Sequence, residues 1–315
     1  MGEFARRRRA RPCARSGVRH GRNMTRAFLL AARPKTLPAA VAPVVLGSAL
    51  AWRLSGSFSW SLAACTLGST LAIQVATNYF NDAVDARKGA DTAARLGPPR
   101  ATAAGLVPLS AMLGAGLAML GLAVLLSLPM VAAQGLPVVG IGLVSLFFTY
   151  GYTGGPFPLA YRGLGELFVL LFFGWVAVAG TVFVQTGQWR PEALLLGTQV
   201  GLLSTVLIAI NNLRDRQEDA GSHKRTLAVR LGERFAKAEI AACCLGPYAL
   251  GLAWAHWGFG WGTGPTLAAA GIGALVAARV AASPPGRIYN RYLALAALHL
   301  LGWSALMTWS MLRAA

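Results

Sequence analysis

The sequence predicts an all-α, polytopic membrane protein of about nine transmembrane helices, and three observations predict it. Hydrophobic residues make up 55% of the 315-residue chain and charged residues 13%, whereas an ordinary soluble domain carries about 25% charged residues. Apolar runs near the ~20 residues that a helix needs to cross hydrocarbon recur along the whole length. The runs are continuous rather than alternating, which excludes a transmembrane β-barrel. The same composition excludes a disordered chain and a disulfide-stapled secreted module.

The elements follow in order. Residues 1–23 carry eight arginines (Arg6, Arg7, Arg8, Arg9, Arg11, Arg15, Arg19 and Arg22) and one acid, Glu3. They lack the apolar stretch of a secretory signal. They read as a disordered basic arm, either native or an extension ahead of a start at Met24, and such an arm suits anionic lipid. Residues 24–315 read as one transmembrane domain. Its expected spans are 37–52, 60–80, 109–132, 135–152, 164–184, 193–213, 236–256, 264–282 and 292–312.

Loop charge orients these spans. With the N-terminus in the cytoplasm, the outer loops and the C-terminus hold only Arg53, Arg190 and Arg313 of the 29 basic residues. That asymmetry follows the positive-inside rule for a cell-membrane protein. The net charge of +18 is thereby spread over inner loops and the arm, and no nucleic-acid partner is expected. Trp52, Trp60, Trp189, Trp257 and Trp261 fall near the outer interface, as belt residues do. Cys13, Cys65, Cys243 and Cys244 have no metal-ligand spacing, and His20, His223, His256 and His299 form no HExxH set, so the sequence offers no zinc site.

Six of the eleven acids lie in two short stretches. The first is Asn78-Tyr79-Phe80-Asn81-Asp82-Ala83-Val84-Asp85, with Asp91 following. The second is Asn211-Asn212-Leu213-Arg214-Asp215-Arg216-Gln217-Glu218-Asp219. Each follows a long apolar run and sits at an expected inner helix end. Asn81 and Asp85 share one helix side, with Asn78 and Asp82 within a turn; Asn211, Asp215 and Asp219 form a second stripe. The interval from Asn81 to Asn211 equals that from Asp85 to Asp215, so one Asn-x3-Asp unit occurs twice. Clustered carboxylates repel unless a cation lies between them. Carboxylate and amide oxygens suit Mg²⁺, which binds few carboxylates together with substrate phosphates. Two facing stripes therefore point to a Mg²⁺–diphosphate site. Lys88, Lys224 and Arg225 follow the stripes and supply a clamp for a leaving phosphate, while Arg87, Arg230, Arg234 and Lys237 read as plain inner-loop charge.

Gln74-x3-Asn78-x2-Asn81-Asp82-x2-Asp85-x2-Lys88-Gly89-Ala90-Asp91-Thr92 resembles the first Asp-rich motif of the UbiA superfamily of intramembrane prenyltransferases. It is most similar to the branch that acts on 1,4-dihydroxy-2-naphthoate, where the last Asp is shifted; Gly89 stands where the commoner pattern has Asp. Asn211-Asn212-x2-Asp215-x3-Asp219-x-Gly221-x2-Lys224-Arg225-Thr226-Leu227-Ala228-Val229-Arg230-Leu231-Gly232 resembles the second motif. Ala32 to Pro38, Tyr152 to Glu166, and Tyr289-Asn290-x2-Leu293 resemble other segments of the family.

The resemblance implies helices around a central cavity with a cytoplasmic polar cap, Mg²⁺ between the diphosphate and both motifs, and a polyprenyl chain in an apolar cavity open to the bilayer. The implied substrates are a polyprenyl diphosphate and 1,4-dihydroxy-2-naphthoate, and the implied reaction releases diphosphate and CO₂ to give demethylmenaquinol. The residues expected to hold metal are Asn81, Asp82, Asp85 and Asp91 on one side, and Asn211, Asp215 and Asp219 on the other. Asp85, Asp215, Lys88, Lys224 and Arg225 are the expected catalytic set. Asn78, Arg33 and Lys35 are expected to aid substrate binding, although Arg33 and Lys35 also fit snorkelling at an interface. Tyr150, Tyr152 and Tyr161 either line an aromatic pocket and shield a cation or belong to an interfacial belt. Glu166 either begins an apolar helix, where the dipole favours it, or serves the site. Other readings remain open: a different aromatic acceptor such as 4-hydroxybenzoate or homogentisate, a CDP-alcohol phosphotransferase, and a transporter.

Overall fold

The protein is described by a computed structural model covering residues 20–89, 96–260 and 264–313. Asp91 and Trp261 lie outside those residues, as do residues 1–19. Among the described residues every regular element is helical. Helix α1 (His20–Ala31) starts upstream of Met24 and buries Ala27 and Ala31 while exposing Leu29 and Leu30. Helix α2 (Pro38–Ser55) starts on a proline, whose missing N–H costs nothing at that position, and ends at Gly56 in the left-handed conformation. Helix α3 (Trp60–Arg87) is capped by Ser59, whose hydroxyl accepts from the Leu62 amide at 3.3 Å. Gly135 separates α4 (Leu109–Gln134) from α5 (Leu136–Gly151).

Helix α6 (Gly165–Thr186) contains a π-helical stretch over Leu170–Val176. Helices α7 (Pro191–Arg214) and α8 (Arg216–Gly221) meet at Asp215. Helix α9 (Leu227–Trp257) begins on the Thr226 cap, well before the expected 236, and its first turns are set off by Gly232 at φ 87. Helices α10 (Pro265–Ala282) and α11 (Tyr289–Arg313) complete the chain.

Seven of these helices are long and apolar enough to cross a membrane: α2, α4, α6, α7, α9, α10 and α11. The other two expected spans are also helical but fall short for opposite reasons. Helix α3 has 28 residues, yet its second half carries Gln74, Thr77, Asn78, Asn81, Asp82 and Asp85. Helix α5 is apolar but has only 16 residues. A count of nine therefore needs both of them to span. Leu117, Leu125, Leu143 and Phe147 stand exposed on α4 and α5, as lipid-facing residues do.

One core joins α2, α6, α7, α9, α10 and α11 around Leu46, Leu50, Leu196, Val200, Ile240 and Trp303. Helices α3 and α4 pack side by side, and α3 also touches α2 and α5. Helices α6 and α7 approach most tightly at Gly174, where an added Cβ would lie 2.4 Å from the Gly197 carbonyl oxygen. Small residues permit such contact between helices in lipid. This packing leaves a cavity between α2, α3, α6, α7 and α11.

Candidate active site

The C-terminal ends of α3 and α7 bring the two acidic segments to one cavity of about 600 Å³. Asn78, Asn81, Asp82 and Asp85 line it from α3, and Asn211 and Asp215 from the end of α7. Arg33 and Lys35 enter from the α1–α2 connection, Tyr152 from the α5–α6 loop and Lys224 from the α8–α9 loop. Four polar side chains of α3 are buried here, with Asp82 and Asp85 only 1% and 3% exposed. Buried charge of this kind needs partners.

Those partners divide the α3 residues by role. The Asp85 carboxylate accepts from the Tyr161 hydroxyl at 2.8 Å and faces the Arg100 guanidinium at 3.4 Å. Asp82 accepts from the Ala101 amide at 3.0 Å and the Thr102 amide at 2.8 Å. Each of its two oxygens thus holds one amide of the α3–α4 loop, while the side chain lines the cavity. Asn78 donates to the Ala32 carbonyl at 2.8 Å and so anchors the end of α1. Asn81 accepts from the Thr153 hydroxyl.

The second segment is held by an arginine that its motif contains. Arg214 donates from Nε and Nη2 to the two oxygens of Asp215, both at 2.7 Å. Its third nitrogen, Nη1, donates to Asn290 on α11 at 2.7 Å, and Asn290 donates to the Leu96 carbonyl at 3.0 Å. Asn211 donates to the Leu207 carbonyl at 3.0 Å, which leaves its amide oxygen for the cavity. Asp219 lies beside Lys224 at 3.5 Å, and its Oδ2 is buried without a hydrogen bond. Burial pushes the Asp219 carboxyl up to about 6; the charges of Asp215 and Asp85 act the same way, and Lys224 opposes them.

Tyr161 gathers the basic residues. The Lys88 ammonium sits 3.8 Å from its ring centroid and donates to the Thr153 carbonyl at 2.9 Å. Lys224 lies 5.9 Å from the same ring. Desolvation lowers the Lys88 pKa, with Arg87 and Lys224 pushing the same way against Asp85. Arg225 touches this cluster through its backbone, donating N–H to the Tyr161 carbonyl at 3.1 Å, while its side chain is exposed and off the cavity wall. Gly163 permits that contact: its φ is 74 and a Cβ there would lie 2.8 Å from the Arg225 carbonyl. Tyr150 is 41% exposed, packs edge-on against Phe80 and stays off the cavity wall, which fits the belt alternative. Tyr152 lines the cavity.

Four contributors lay outside the expected site: Arg100, Thr153, Arg214 and Asn290. Arg214 sits inside the second motif and Asn290 opens the last helix, so their neighbours carried a signal. Thr153 lies in the Tyr152–Glu166 segment that resembles the family, whereas Arg100 carried no signal, since only folding brings its loop to α3. Beyond the polar end, a smaller apolar cavity of about 160 Å³ shares Gln74, Thr77, Phe168 and Phe173 with the first and continues past Phe148 and Phe172. The π-helical turn of α6 follows directly on Phe168 and carries Phe172 and Phe173.

The oxygens here suit a hard cation. Asp85, Asp215 and Asn211 line the cavity, and Asp219, off its wall but beside Lys224, carries in Oδ2 a buried anionic acceptor without a hydrogen bond. Among the described residues no three His, Cys, Asp or Glu side chains form a ready-made cage. Mg²⁺ needs none, because phosphate oxygens and water complete its shell.

A helical membrane bundle with a doubly acidic polar pocket adjoining an apolar cavity is the architecture of an intramembrane prenyltransferase. The UbiA prenyltransferase family model matches residues 40–301, and the chain belongs to that family. It is a multi-pass membrane protein and a prenyltransferase. It is 38% identical over 228 residues to the 1,4-dihydroxy-2-naphthoate octaprenyltransferase of Escherichia coli (strain K12), covering 70% of this chain and 74% of that one. The enzyme of the same name from Bacillus subtilis (strain 168) is 36% identical over 210 residues, covering 67% of each. The apo UbiA homologue from Aeropyrum pernix K1 shares the fold with a TM-score of 0.65 at 19% identity, covering 84% of this chain and 96% of that one. A UbiA homologue from Archaeoglobus fulgidus bound to GPP and Mg²⁺ aligns with a TM-score of 0.57 at 14% identity, covering 89% and 99%.

Proposed function

We propose that this chain transfers a polyprenyl group from a polyprenyl diphosphate to 1,4-dihydroxy-2-naphthoate in the cell membrane, with its polar pocket and N-terminus on the cytoplasmic side and Mg²⁺ as cofactor. One observation carries the reaction type: the pocket that joins both acidic segments adjoins the Phe-lined apolar cavity and shares Gln74, Thr77, Phe168 and Phe173 with it. A diphosphate head and an isoprenoid tail need those two environments side by side. The names of the relatives support the naphthoate, and the liganded Archaeoglobus fulgidus homologue supports Mg²⁺.

In this reading Asn81, Asp85, Asn211, Asp215 and Asp219 hold Mg²⁺, together with Asp91, which lies outside the described residues. When bound, Mg²⁺ neutralises charge on the departing diphosphate. Lys88 and Lys224 bind diphosphate oxygens from either side of Tyr161, with Arg33 and Lys35 at the pocket edge. Tyr161 fixes the Asp85 carboxylate through its hydroxyl and holds the Lys88 ammonium over its ring. The bond from the prenyl C1 to the diphosphate oxygen breaks. The ring carbon that bears the carboxylate bonds to C1, and CO₂ departs to give demethylmenaquinol. Phe168, Phe172 and Phe173 keep water from the cation. Asp82 and Asn78 serve the fold rather than the metal.

The test is prenyl transfer by purified protein in liposomes, with Mg²⁺, geranylgeranyl diphosphate, and dihydroxynaphthoate and 4-hydroxybenzoate offered in parallel. Prenylated naphthoate alone, lost with EDTA and in Asp85→Ala and Asp215→Ala, is the expected result. Prenylated benzoate would keep the reaction type and overturn the acceptor.

A further inference from the structure

Glu166 is an acid in the first turn of the membrane-spanning helix α6 and is only 3% exposed. Acids inside membrane spans are costly and mark function by default. The dipole at a helix start favours a negative charge, but it would favour an exposed glutamate equally and without desolvation. Glu166 instead turns inward against α7, where its Oε1 accepts from the Asn212 Nδ2 at 2.6 Å; its Oε2 is buried without a hydrogen bond.

That contact decides which way Asn212 faces. A carboxamide offers donors at one end and an acceptor at the other. One Nδ2 hydrogen goes to Glu166, which fixes the amide and leaves Oδ1 as the acceptor of Asn212. Asn212 lines the large cavity beside Asn211 and Asp215. The same wall carries the Tyr152 and Phe168 rings, whose centroids are 5.1 Å apart and whose planes are tilted by 40°. Gly165 belongs to this arrangement, since a Cβ there would lie 3.0 Å from the Tyr152 hydroxyl. The subsite thus pairs an aromatic wall with one oriented hydrogen-bond acceptor, next to the diphosphate end and outside the acidic stripes.

We propose that Asn212, oriented by Glu166, accepts a hydrogen bond from a ring hydroxyl of the aromatic acceptor while that ring lies against Tyr152 and Phe168. Glu166 is a positioning residue, and Asn212 is the binding residue. The acceptor class is a hydroxyarene whose hydroxyl acts as donor; an ether of that hydroxyl lacks the donor. This rests on the prenyl-transfer reading but not on which hydroxyarene is used.

The experiment measures KM for the aromatic acceptor and for the prenyl diphosphate separately, in Asn212→Ala, Glu166→Leu and Glu166→Gln, in liposomes. Wild-type turnover of the naphthoate checks the parent reading first. If the wild type prefers another hydroxyarene, that reading fails and the same variants are read with the preferred ring. Expected are a tenfold rise in acceptor KM in Asn212→Ala and Glu166→Leu, with prenyl diphosphate KM within twofold, since one hydrogen bond is lost. Glu166→Gln keeps an oxygen for Asn212 and returns the acceptor KM to within threefold of wild type. The monomethyl ether of the acceptor, disfavoured tenfold by wild type, is not discriminated by Asn212→Ala. Equal rises in both KM values, or unchanged acceptor KM with unchanged discrimination, overturn the proposal. If Glu166→Leu does not fold, Asn212→Ala and the ether comparison decide it.

Discussion

Arg214 grips its chain neighbour Asp215 through two hydrogen bonds of 2.7 Å each. The guanidinium is 2% exposed and the carboxylate 9%. The fork fixes the orientation of a carboxylate that lines the cavity. Removing one partner of a buried ion pair leaves an uncompensated charge, at about 3–5 kcal/mol. Arg214→Leu is therefore expected to lower the detergent melting temperature markedly, and added Mg²⁺ to recover part of it. Arg214→Lys, which cannot make the fork, should fall between. A melting temperature unchanged in Arg214→Leu would refute this account.

Tyr161 joins a hydrogen bond to Asp85 with a ring beneath Lys88. Tyr161→Phe removes only the first, and a hydrogen bond to a charged group is worth about 1.5–3 kcal/mol. We expect kcat/KM to fall roughly tenfold to a hundredfold in Tyr161→Phe, and further in Tyr161→Ala, which also loses the ring. Steady-state rates at saturating Mg²⁺ check this, and equal activities of the two variants would refute it.

Each Asp82 oxygen accepts from one amide of the α3–α4 loop, and we read the residue as serving that loop. Asp82→Ala should lower stability by about 3–6 kcal/mol for two charge-assisted hydrogen bonds. The Mg²⁺ concentration for half-maximal activity of the surviving enzyme should stay near wild type. A large rise in that concentration would return Asp82 to the metal set.

Asp219 titrates near 6 instead of the usual carboxylate range because it is buried near Asp215 and Asp85. Its folded pKa lies above the unfolded value of about 4. Between those values the folded state binds the extra proton, so stability falls as pH rises through that window and is level above it. A cation beside the charged carboxylate relieves that loss. Mg²⁺ should therefore raise the melting temperature more near pH 7.5 than near pH 5. Asp219→Asn should remove most of the difference, and an equal Mg²⁺ effect at both pH values in wild type would refute the assignment.

Gly174 lets α6 and α7 touch, and Gly174→Ala would place a Cβ 2.4 Å from the Gly197 carbonyl oxygen. Overpacking of this kind costs about 1–3 kcal/mol. A lower melting temperature is expected, along with slower turnover, because these helices carry Phe168 and Asn212. Unchanged stability and turnover would show that the helices separate freely.

Much of the fold was legible because membrane insertion is decided locally. Each apolar run satisfies its own backbone as a helix, so the nine expected spans all fall on helices. The start of α9 escaped notice because Glu233, Arg234 and Lys237 make its first turns polar, and such turns do not resemble hydrocarbon-spanning sequence. The two acidic segments were visible for a similar reason: in a chain with eleven acids, two matched Asn-x3-Asp units stand out.

Partner choice was a different matter. Asp82 and Asp85 share a motif and a helix, yet one faces loop amides and the other faces Tyr161 and Arg100. The repeated Asn-x3-Asp unit singles out Asp85, but the partners of each come from loops packed after α3 has formed. Glu166 likewise read equally as a helix-start acid or as a site residue until α7 placed Asn212 against it. The sequence by itself determined a helical membrane protein with two acidic segments at helix ends, because hydropathy and helical spacing act over short stretches of chain. Only the tertiary structure decided which oxygens face the cavity and which are spent on the fold, because each hydrogen bond depends on residues distant in sequence arriving within about 3 Å.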